Sequence, residues 1–93
     1  MNIADGKLQP AERQAQAGDR IIAAILGSDG TVYLRQAVVV RTWSDTCVNA
    51  IAFLDGSNDA ALGGSQTQHT KWLTSIIYEP GEIHPGTFYW PGD

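Results

Sequence analysis

Cysteine is almost missing from this chain: Cys47 stands alone among 93 residues, so no intrachain disulfide can form. A single cysteine inside an apolar segment reads as a small buried hydrophobe rather than a reactive thiol. Also lacking are a charged leader and any apolar stretch near 18 residues, so the expected setting is a reducing cytoplasm. Positive charge is sparse as well. Six basic residues (Lys7, Arg13, Arg20, Arg35, Arg41 and Lys71) are scattered against ten acidic ones, for a formal charge of −4. Duplex nucleic acid and anionic membranes require clustered Lys and Arg, so neither is an expected partner. A compact ligand with a few negative charges needs only one or two arginines, and that class stays open.

Signatures of catalysis are missing too. There is no Gly-rich phosphate loop and no nucleophile elbow around a serine. Ser75, His84 and Asp55 can be assembled into a triad on paper, but no oxyanion loop accompanies them. His69 and His84 lie far apart with no second cysteine, so spacing offers no tetrahedral zinc set. The run Asp55-Gly56-Ser57-Asn58-Asp59 resembles the start of an EF-hand loop. Its glycine is misplaced, however, and Gln66 stands where the bidentate glutamate belongs. The expectation is a protein that is not an enzyme and has no cofactor and no metal.

What is present is a globular composition, 43% apolar, in one small domain. A chain this short buries only roughly 60–65% of its unfolded surface, so the core is thin and a homo-oligomeric contact would help it. Residues 1–19 read as a short surface helix or a mobile arm. Pro10 suits a first helical turn, Gly18 suits a stop, and little between them is large and apolar.

From Arg20 onward, short β-rich segments alternate with turns of Gly, Asn, Asp and Pro. Strands are predicted over 20–26, 31–43, 47–54, 71–78 and 87–90, with a hairpin at Gly27-Ser28-Asp29-Gly30 and a long polar loop over 55–68. Together they predict an all-β fold over 20–93, a small five-stranded antiparallel barrel of the SH3-like kind. Alternation assigns Val32, Leu34, Val38 and Val40 to the core, joined by Val48, Leu54 and Ile77. Tyr33, Arg35, Val39, Arg41 and Trp43 fall on the opposite face, where a partner could dock.

Aromatic residues are the richest chemical resource. Trp43, Trp72 and Trp90 all fall at strand ends, where they either close the barrel or offer a stacking surface. In the functional reading Arg35, Arg41 and Lys71 supply charge, and Asp45, Asn58, Thr74 and Ser75 anchor polar groups. In the structural reading arginine stems simply cover indoles.

Order and spacing of several motifs carry a resemblance. These are Ala37-Val38-Val39-Val40-Arg41-Thr42-Trp43, Asp45-Thr46, Val48-Asn49, Phe53 to Asp59, Trp72-Leu73-Thr74-Ser75 and Pro85 to Pro91. Over residues 31–91 the chain resembles small proteins encoded by tailed bacteriophages and prophages. The resemblance implies an accessory protein acting in the cytoplasm of a bacterial host. By analogy of context it suggests counter-defence: sequestering a small nucleotide-like immune signal. The alternatives are a module that blocks a host defence protein, or a role in phage structure and assembly.

Overall fold

The structure, a computed structural model, describes residues 13–93. Five strands follow in order: β1 (Arg20–Leu26), β2 (Val32–Ser44), β3 (Cys47–Phe53), β4 (Thr70–Tyr78) and β5 (Thr87–Tyr89). They close into one barrel in which each strand pairs with the next and β5 returns to β1. This is the small five-stranded barrel that the turn spacing predicts.

Strict antiparallel pairing cannot be kept all the way round. Five is odd, so alternating directions must fail at one seam of a closed ring. The seam lies between β4 and β5, where Ile77 and Tyr78 pair in parallel with Thr87 and Phe88. A parallel crossover ordinarily needs a dozen or more residues. Here the loop 79–86 suffices because β5 resumes the direction of β4 beside its last residues. The Glu79 N–H donates to the Phe88 carbonyl at 2.9 Å, and Ile77 N–H to the Gly86 carbonyl at 3.1 Å.

The interior corrects the predicted core. Register pairs Ile21 with Ala37, Ala23 with Arg35 and Ile25 with Tyr33, and directly opposed residues share a face. Ile21, Ala23 and Ile25 are buried, so the odd-numbered residues of β2 point inward with them. Ala37 and Val39 are in the core, Val38 is half-buried, and Val40 is exposed. Val32 and Leu34 are also only half-buried, and Ile77 is exposed, its place being taken by Ile76. Val48 and Leu54 are buried as expected. The cause is size. The bore of a small barrel is narrow and admits small side chains beside large ones, and Ala23, Ala37, Ala50 and Ala52 line it. Val32, Leu34, Val38 and Val40 fall on the other face of β2.

Bulges then break the alternation. Val39 pairs with Ala50 but Arg41 pairs with Asn49, so Val40 is the extra residue. The bulge swings Arg41 to the outer surface, away from the inward set of Tyr33, Arg35 and Val39. A second irregularity frees Trp43 between Thr42 and Ser44.

The predicted long loop 55–68 is more ordered than its composition suggests. It contains a 3₁₀ segment (Gly56–Leu62) kinked at Asp59 and ended by Gly63 at φ 91°. At Gly64 any Cβ would lie 2.2 Å from the Gly56 carbonyl oxygen, so only glycine fits. Of the N-terminal arm, Met1–Glu12 lie outside the described residues. Residues 13–19 form no helix: Ala15 is buried, and Gly18 N–H donates to Val39 O at 2.7 Å. The Arg13 guanidinium lies 3.8 Å from the centre of the Trp90 ring.

Candidate functional site

Two groups of the predicted site residues come together in different places. The first is on the outer surface of β2, β3 and β4. Register aligns Arg20, Val38, Ile51 and Trp72 in one row across β1 to β4. Trp72 is 54% exposed, and its Nε1–H donates to Thr74 Oγ1 at 3.3 Å. Phe53, two residues beyond Ile51 and also exposed, extends the apolar surface.

Further along the same wall, the Arg41 guanidinium lies 4.2 Å from the centre of the Trp43 ring, and that ring is 54% exposed. Trp43 is held from behind by Asn49, whose Oδ1 accepts its Nε1–H at 3.0 Å. The same oxygen accepts the Ser75 N–H at 2.8 Å. Asn49 is thus a buried polar link across β2, β3 and β4, satisfied by two donors. Ser75 sits there at φ 53°, a left-handed conformation forced by the bulge between Asn49 and β4. Asp45 occupies the adjoining turn between β2 and β3 and is exposed.

The second group lies at the 3₁₀ segment. Arg35 donates from Nε to Asp59 Oδ2 at 2.9 Å and from a terminal nitrogen to Asp59 Oδ1. Asp59 Oδ2 also accepts the Asp55 N–H at 2.8 Å. The Arg35 pair, with help from that N–H, holds the Asp59 carboxyl at about 2, and Asp59 in return raises the arginine above its ordinary value. Asn58 is spent within the segment, its Nδ2 donating to Asp55 Oδ2 at 3.0 Å. The residues that resembled a calcium loop therefore pin the segment to the barrel. Beside them opens a shallow cleft of about 530 Å³ whose rim includes Arg20, Gln36 and Phe53.

Lys71 and Trp90 join neither group. Lys71 falls in the inward row with Ala37 and Ala52. Trp90 is 2% exposed and packs edge-on against Phe88 at 5.7 Å, so it closes the core instead of offering a stacking face. Cys47 is half-buried beside Ile77 on the outer side. The triad assembled on paper is spread over the β4 bulge, the loop 79–86 and the start of the 3₁₀ segment.

Sequence reasoning missed Asn49, which looks like an ordinary polar residue in a strand. It also missed how charge is distributed. Among the described residues no strand carries Asp or Glu, although Arg20, Arg35, Arg41 and Lys71 are in strands. Asp5 and Glu12 lie outside the described residues, Asp59 is in the 3₁₀ segment, and the other acidic residues occupy turns and loops. The signal was available once strand boundaries were drawn. Of these cations Arg20 and Arg41 are on the outer wall, which is aromatic and has no carboxylate among its strand residues. No family model, curated protein or solved structure matches the chain.

Proposed function

We propose that this protein is a non-enzymatic binding module whose β2–β3–β4 wall holds an anionic ligand with a planar ring, of the nucleotide class. The observation that carries the reading is the exposed Arg41–Trp43 pair on a wall that also carries exposed Trp72, its strands free of carboxylates. Indole faces stack on any flat ring, worth about 1–3 kcal/mol per base. Arginine donates paired hydrogen bonds to phosphate. Because Asn49 fixes the Trp43 ring before binding, little side-chain freedom is lost on association. Arg20 stands at the far end of the same wall as a further cation. In the phage setting implied by the sequence resemblance, such binding would remove a host immune signal, and a homo-oligomer would add avidity.

A second reading is favoured by the openness of the wall. Small ligands usually occupy concave sites, whereas exposed Trp43, Phe53 and Trp72 resemble the aromatic anchors of protein interfaces. A host defence protein or a phage assembly partner would then dock there.

Melting the protein with cyclic di- and trinucleotides and ADP-ribose derivatives separates the two. A ligand at 100 times its Kd adds about 2.7 kcal/mol, several degrees in so small a domain. The expected result is a rise with at least one nucleotide, lost in Arg41→Ala although that variant melts like the parent when unliganded. No rise with any of them supports the protein-partner reading.

A further inference from the structure

We propose that Glu79, Glu82 and His84 form a binding site for one divalent transition-metal ion. All three belong to the loop 79–86 that carries the chain from β4 to β5, away from the residues assigned to the ligand wall. One donor atom from each lies within 4.8 Å of the others. Donors around a tetrahedral ion with bonds near 2.0–2.2 Å stand roughly 3.3 Å apart, so small rotations of exposed side chains complete the set.

The donor types select the metal. Two carboxylates and an imidazole nitrogen suit zinc, manganese, cobalt or nickel, while calcium and magnesium prefer oxygen alone. His84 Nδ1 contacts Glu79 and its Nε2 lies 3.4 Å from Glu82; an ion takes one of these nitrogens, and the exposed carboxylate at the other turns to join it.

The backbone is set before an ion arrives. Glu79 N–H is bound to Phe88 O at 2.9 Å and Gly86 N–H to Ala24 O at 3.0 Å. The hydroxyl of buried Thr87 donates to the His84 carbonyl at 2.6 Å. An adjoining hollow of about 220 Å³, lined by Gly81, Glu82, Ile83, Tyr89 and Asp93, leaves room for water to fill the remaining coordination positions. Spacing in the sequence hid this set because its members alternate with Pro80, Gly81 and Pro85, whose turns fold the loop back on itself.

The test is calorimetric titration of the full chain with zinc chloride and with manganese chloride alone, followed by an imidazole proton spectrum. One ion per chain is expected, with the His84 resonance moving and the His69 resonance staying in place. Glu82→Gln, at an exposed position that the fold does not depend on, should weaken binding at least roughly tenfold. Cys47→Ser should leave binding unchanged. The proposal is overturned if neither metal binds, if Glu82→Gln binds like the parent, or if His69 responds instead of His84. None of these outcomes bears on the nucleotide reading, because Arg41 and Trp43 are absent from this site.

Discussion

At the scale of single residues, the chemistry rests on a few side chains that hold others in place. Asn49 is one: without its oxygen the Trp43 indole and the Ser75 amide would both lose their acceptor, and each such hydrogen bond contributes about 0.5–1.5 kcal/mol. Asp59 is another. Its carboxyl stands at about 2 in the folded chain against an ordinary 3.8, chiefly through Arg35. A depressed carboxyl contributes stability that is fully present above the unfolded value and is lost as pH falls through the folded one. The melting temperature should therefore fall between about pH 4 and pH 2. Asp59→Asn should melt lower at neutral pH and show a flatter decline over that acid range. An unchanged acid slope in the variant would mean that this pair is not the source. Arg41 and Trp43 were legible as a pair from the sequence, because cation and indole two residues apart on a strand share a face. Trp90 was not legible, since a tryptophan at a strand end suits a surface and a core equally well.

Among the elements, strand positions and turns follow closely from the sequence, and strand faces do not. Val32, Leu34, Val38 and Val40 outweigh their odd-numbered neighbours in hydrophobicity, yet register with buried Ile21, Ala23 and Ile25 turns Tyr33, Arg35, Ala37 and Val39 inward. Bulges at Val40 and at the Asn49–Ser75 crossing then reset the alternation, and nothing in β-branched content marks where they fall. Ser75 reports the second bulge through its positive φ. A non-glycine residue in that region is strained by about 1–2 kcal/mol, which glycine relieves at an entropic cost of roughly half that. Ser75→Gly should therefore be neutral or stabilising by up to about 1 kcal/mol in urea. Ser75→Val, β-branched, should be destabilising by more than that. A valine variant as stable as the parent would show that the residue does not adopt this conformation.

For the whole molecule, closure explains features that no local pattern shows. An odd ring of strands forces one parallel seam, and the seam places the loop 79–86 outside the barrel with its glutamates and His84 together. Closure also sends Phe88 and Trp90 inward while Trp43 and Trp72 remain on the wall. Among the described residues the carboxylates all lie outside the strands, whereas Arg20, Arg35, Arg41 and Lys71 lie within them. The three tryptophans thus provide a built-in contrast, two on the proposed binding face and one in the core. The most direct measurement is an indole N–H correlation spectrum of the labelled protein, recorded during titration with the cyclic nucleotides and ADP-ribose derivatives. Binding at the β2–β3–β4 wall predicts that the Trp43 and Trp72 signals shift with ligand while Trp90 holds its position. A spectrum in which no indole signal moves with any nucleotide, or in which Trp90 alone responds, would contradict it.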